Sequence, residues 1–143
     1  TRSMVMGHSA GGHLALLLAA KAERKPWLAI AQAPITDLIG ADHAKLSDEG
    51  DAVRRWIGCS PEDNPTVWEQ LNPISHPPVA PVLLIHGEND EEVPKEQSET
   101  YARIMAAKGA DVQKLWLPGG HFSIIDVASD DWLVELDAIL DWL

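Results

Sequence analysis

Apolar residues fall into short blocks separated by Gly, Pro and charged clusters, and the spacing inside each block predicts its element. Ser3-Met4-Val5-Met6, cut off by Gly7, reads as the end of a buried strand. Residues 10–22 carry Leu14, Leu16, Leu17 and Leu18 among alanines, apolar on nearly every side, which predicts a buried helix ended by Pro26. Leu28-Ala29-Ile30-Ala31 gives a second strand. Val82-Leu83-Leu84-Ile85, between Pro81 and Gly87, gives a third that is covered on both faces. Tyr101, Ile104, Met105 and Lys108 form one stripe of a helix over about 95–108, and Val112 to Leu117 is a fourth strand stopped by Pro118-Gly119-Gly120. Trp132, Leu133, Leu136, Ile139, Leu140 and Leu143 recur at helical spacing and predict an amphipathic C-terminal helix.

Strands alternating with helices predict an α/β fold, a mostly parallel sheet with helices on both faces. The strand centres lie near residues 5, 30, 84 and 115, and the interval from 30 to 84 is too long for a simple crossover. Residues 36–79, rich in Pro, Asp and Asn, are therefore expected to form a lid-like insert with short helices at about 50–57 and 65–71. It carries Trp56 and Trp68, which either line an apolar acyl or aryl pocket or pack the insert.

At 143 residues one domain is expected, able to bury roughly 70% of its unfolded surface. With 22 Asp and Glu against 11 Lys and Arg, the chain has a formal net charge of −11, which argues against nucleic-acid or anionic-membrane partners. Residues 72–143 carry 13 of the acids and 4 of the bases, so the excess negative charge concentrates there and reads as solvated surface. The single cysteine, Cys59, rules out an internal disulfide framework and suits a reducing compartment; a cytoplasmic location is expected. The stretch before Gly7 is too short for a signal peptide, and no apolar run is long enough to span a bilayer. Paired cysteines, a His-Glu-x-x-His helix and a phosphate-loop lysine are all missing, so no metal or nucleotide site is expected.

The sharpest chemical signal is Gly7-His8-Ser9-Ala10-Gly11, followed by Gly12, at the junction of a strand and a helix. A tight strand-to-helix turn needs small neighbours, lifts the Ser9 hydroxyl above the sheet and aims a helix N-terminus at developing negative charge. The bland alternative is a Gly-rich turn with an incidental serine. Serine needs a base, and the base an orienting carboxylate. Among six histidines, His121 follows Pro118-Gly119-Gly120 just past the last strand, at the C-terminal edge of the sheet where ligands bind. His8 and His13 flank the serine and read as packing or polar-lining residues, while His43 and His76 lie in the insert and His86 ends a strand. For the acid, Asp90 in His86-Gly87-Glu88-Asn89-Asp90-Glu91-Glu92-Val93-Pro94 is preferred, with Glu88 the alternative.

These motifs resemble the C-terminal half of an α/β-hydrolase, in particular small esterases related to carboxylesterases and kynurenine formamidase. The resemblance rests on Gly7 to Ala15, on His86-Gly87-x-x-Asp90-x-x-Val93-Pro94 and on Gly120-His121, and extends over nearly the whole chain. It implies a Ser9–His121–Asp90 triad, an acyl-enzyme intermediate, no cofactor and the Ala10 N–H as one oxyanion donor. A complete member is about twice as long, with the nucleophile on its fifth strand and the second oxyanion donor in the preceding half. The expected function is hydrolysis of small carboxylic esters. The alternatives are an arylformamidase with the same triad, or a catalytically silent fragment acting as an assembly module. As a partial α/β-hydrolase domain over 1–143, the chain is expected to have an open sheet edge, completed by a preceding half or by a second copy in a homodimer.

Overall fold

The computed structural model describes residues 2–46 and 49–142, so the expectation for Leu143 lies outside the described residues. The elements in chain order are β1 (Met4–His8), α1 (Ala10–Lys21), β2 (Leu28–Gln32), α2 (Leu38–His43), α3 (Ala52–Ile57), α4 (Pro65–Leu71), β3 (Val82–Gly87), α5 (Glu96–Ala107), β4 (Val112–Leu117) and α6 (Asp130–Leu140). The four strands pair in parallel in the order β1-β2-β3-β4.

Side-chain alternation sorts each central strand onto two faces. Ala29, Ala31, Val82 and Leu84 meet Leu16 and Ala19 of α1 and Tyr101 and Met105 of α5. Leu28, Ile30, Leu83 and Ile85 face the other way, against Leu117, Ile124 and Ile139 of α6. Both faces of β2 and β3 are thus covered, which is why their sequences are continuous apolar runs. A third cluster, Leu38, Ala41, Val53 and Trp68, packs the helices between β2 and β3 against one another. That segment is pinned at its start by Gln97 of α5, whose Oε1 accepts from the Thr36 and Asp37 backbone N–H groups at 2.9 and 2.8 Å.

Four expectations need correction. The first strand runs on through Gly7 to His8, and Met4 and Met6 are exposed rather than buried. Helix α1 is not covered all round: Leu16 and Ala19 are buried, whereas Leu14 and Leu18 are 48% and 46% exposed. No strand pairs with the outer edge of β1 among the described residues, and these leucines share that uncovered condition. Helix α2 was not anticipated, although Asp37 caps it in the ordinary way, its carboxylate accepting from Gly40 N–H at 3.0 Å. On α6 the inward positions are Asp131, Glu135 and Ile139, while Leu133, Leu136 and Leu140 face outward. The polar pair can turn inward because Gln32 and Ser123 meet it with hydrogen bonds.

Candidate active site

The turn joining β1 to α1 is built on close backbone approach. A Cβ on Gly7 would lie 2.1 Å from the Gly11 carbonyl oxygen, and one on Gly12 would lie 3.0 Å from the Gln32 carbonyl oxygen. Gly11 itself has open space around it among the described residues, so of the three glycines sterics demand Gly7, while Gly12 is closely packed. Ser9 sits at φ 55°, ψ −116°, a region L-residues rarely occupy, and its N–H is held by Gln32 O at 2.8 Å. This conformation places Ser9 at the N-terminus of α1. There the Ala10 N–H, first in the helix, has no carbonyl partner among the described residues.

Asp90 and His121 come from the loops after β3 and β4, 31 residues apart in sequence, and meet at 2.7 Å from Asp90 Oδ2 to His121 Nδ1. A carboxylate accepts, so Nδ1 carries the proton and a neutral His121 keeps Nε2 free to accept. The Asp90 side chain is fully buried, and its other oxygen takes N–H bonds from Glu92 (2.9 Å) and Val93 (2.8 Å). Glu88, the alternative acid, is instead directed toward Lys95 at 3.5 Å. The two loops are stitched together by Asn89, whose N–H and side-chain amide donate to Gly119 O and Pro118 O. Gly87 permits this approach, since a Cβ there would stand 2.4 Å from Gly119 O. Gly119 N–H is itself spent on Asp131 Oδ2 at 3.0 Å.

Ser9, Ala10 and His121 open onto one cavity of about 360 Å³ whose walls include Leu38, Leu46, Val53, Trp56, Val93 and Phe122. Trp56 stands in this wall with the His13 ring nearly perpendicular to its own, centroids 4.9 Å apart. Trp68 does not: it is fully buried in the helical cluster, its Nε1–H donating to Cys59 O at 3.2 Å, so the pocket role expected of it is corrected to packing. Three histidines support the site in ways their positions did not announce. His8 donates from Nε2 to the His121 backbone carbonyl at 2.8 Å, tying the His121 loop to the serine turn, and burial pulls its pKa below the ordinary value. His13 donates to Leu71 O at 2.8 Å and is likewise lowered by burial. His86 lies behind Asp90. For His8 the readable signal was adjacency to Ser9; for His86 it was the four-residue interval to Asp90.

A parallel sheet sandwiched by helices, with a strained serine turn and loops delivering an acid and a histidine, defines an α/β-hydrolase fold. Within that superfamily the chain belongs to the prolyl oligopeptidase family, whose model matches residues 1–143. No curated protein matches the sequence. Among solved structures the chain is similar to the acylaminoacyl peptidase of Pyrococcus horikoshii, with 21% identity and a TM-score of 0.83, covering 99% of this chain and 23% of that one. It is also similar to an esterase from Thermogutta terrifontis, with 20% identity and a TM-score of 0.72, covering 98% of this chain and 53% of that one. Esterase B from Lactobacillus rhamnosis gives 19% identity and a TM-score of 0.75, covering 97% and 52%. The chain thus spans about a quarter of the peptidase and about half of each esterase.

Proposed function

We propose that this chain carries the catalytic centre of a serine hydrolase acting on small carboxylic esters. Ser9 attacks the carbonyl carbon as His121 Nε2 takes the hydroxyl proton. Asp90 holds the imidazole in the required tautomer, and the Ala10 N–H donates to the oxyanion. Collapse of the tetrahedral species expels the alcohol, protonated by His121, and water then releases the acid from Ser9 by the same steps. The carrying observation is the 2.7 Å Asp90–His121 bond facing a cavity that Ser9 also lines. The mostly apolar wall suits an acyl or aryl group, with Trp56 in contact and the helices between β2 and β3 acting as a lid. The family match favours a second reading, hydrolysis of a short peptide by the same residues. An arylformamide is a third candidate substrate for the same centre.

The uncovered edge of β1, beside the exposed Leu14 and Leu18, supports the further reading that a preceding half of the sheet completes the fold and supplies the second oxyanion donor. A homodimer joined at this edge is the alternative, which light scattering distinguishes. The functional test is turnover of a short-chain p-nitrophenyl ester, an aminoacyl p-nitroanilide and an N-formyl aryl amide, with fluorophosphonate labelling run alongside. Ser9→Ala should abolish both turnover and labelling. Equal labelling of the wild type and the variant would refute Ser9 as nucleophile.

A further inference from the structure

Resting on that reading, we propose that His86 is a positioning residue that clamps Asp90 in the orientation His121 requires. The side chain is fully buried near the end of β3 and meets both the Asp90–Val93 loop and helix α5. Its Nε2 lies 2.8 Å from Val93 O and 3.3 Å from Asp90 Oδ2, and its Nδ1 lies 2.7 Å from Ser98 Oγ on α5. A carbonyl oxygen only accepts, so Nε2 bears the proton; in the neutral ring Nδ1 is then bare and accepts from the Ser98 hydroxyl. One N–H thus fastens the carbonyl of Val93, whose own N–H holds Asp90 Oδ1 at 2.8 Å, and presents its positive end to Oδ2. The Asp90 turn is gripped at both ends of its hydrogen-bonded ring, and the carboxylate has no freedom to rotate away from His121.

The neutral state of His86 matters as much as its contacts. A positive His86 beside Asp90 would compete with His121 for the same carboxylate oxygen and cancel the charge that orients the imidazole. Burial disfavours that state and pulls the His86 pKa down; the neighbouring charges of His121 and Lys95 act in the same direction, against Asp90 and the Val93 carbonyl. The donor pattern from Ser98 and to Val93 is already complete without a second proton.

The test combines nitrogen-15 NMR of the histidines in the full chain with ester kinetics for His86→Leu and His86→Gln. In the wild type His86 is expected as the Nε2–H tautomer at neutral pH, with a hydrogen-bonded His121 Nδ1–H proton resolved far downfield. In His86→Leu that resonance should move upfield or vanish by exchange, while kcat falls about tenfold or more at nearly constant KM, as for a misplaced orienting group. Glutamine restores an N–H near the Nε2 position, so His86→Gln should recover the His121 resonance and bring kcat back to within about threefold. An Nδ1–H tautomer or a charged ring at His86 in the wild type overturns the proposal, as does an unchanged His121 resonance in folded His86→Leu. If the leucine variant does not fold, the wild-type tautomer and the glutamine variant decide. If no form turns over ester, the proposed activity fails while the NMR readouts still judge the clamp.

Discussion

Glu135 offers a sharp test of how the packing beneath the His121 loop works. Its side chain is fully buried on α6, with Oε1 accepting from Gln32 Nε2 at 2.6 Å and Oε2 without a hydrogen-bond partner among the described residues. The same Gln32 amide nitrogen donates to Ile124 O at 3.0 Å, so the network reaches the segment just past His121. Burial, reinforced by the nearby Asp131, lifts the Glu135 carboxyl from 4.5 to about 7 against the opposing Gln32 hydrogen bond. Between those two values the folded protein holds a proton that the unfolded chain has released. Stability therefore falls as pH rises through that window, and the full cost is present above pH 7. At 1.36 kcal/mol per unit the ceiling is about 3 kcal/mol. Glu135→Gln keeps the size and the acceptor toward Gln32 but cannot ionise. Urea unfolding of the wild type and Glu135→Gln at pH 5 and pH 8 should give curves that diverge with rising pH, the variant gaining up to about 3 kcal/mol in relative stability. Parallel stability–pH curves would refute the claim that Glu135 is buried as a neutral acid.

Trp68→Ala should cost about 3–5 kcal/mol in denaturant unfolding, because it empties the centre of the helical cluster. Trp56→Ala, at a half-exposed position, should cost less than about 1 kcal/mol. Its effect should appear instead as weaker binding of aryl esters, read from KM. Gly7→Ala drives a Cβ into the Gly11 carbonyl and should distort the serine turn, abolishing fluorophosphonate labelling. Gly11→Ala meets open space on a helix and should be neutral or stabilising by up to about 1 kcal/mol in the same unfolding assay.

The buried strands and the serine turn were legible because each is specified by neighbours in sequence. β2 and β3 are continuous apolar runs since both faces are covered, and Gly7 is required by an oxygen only four residues away. The loop positions of Asp90 and His121 followed from where β3 and β4 stop. Trp68 and Trp56 show the opposite case: two tryptophans of one insert, alike in sequence, have different fates because α2, α3 and α4 close around the first and leave the second at a cavity wall. Helix α6 shows it again. Its leucine spacing forecast the buried face, yet Asp131 and Glu135 turn inward, since their partners Ser123 and Gln32 lie 8 and 103 residues away.

Local geometry and apolar periodicity by themselves determined β2, β3 and β4 and the turn that carries Ser9, and set Asp90 and His121 just past the ends of β3 and β4. Tertiary structure alone decided which tryptophan reaches the cavity, which face of α6 is buried and that His8 and His86 brace His121 and Asp90. Hydrophobic periodicity records whether a position meets other apolar atoms nearby. A buried polar group is stable only when a distant partner completes its hydrogen bonds, and that partner is chosen by the fold.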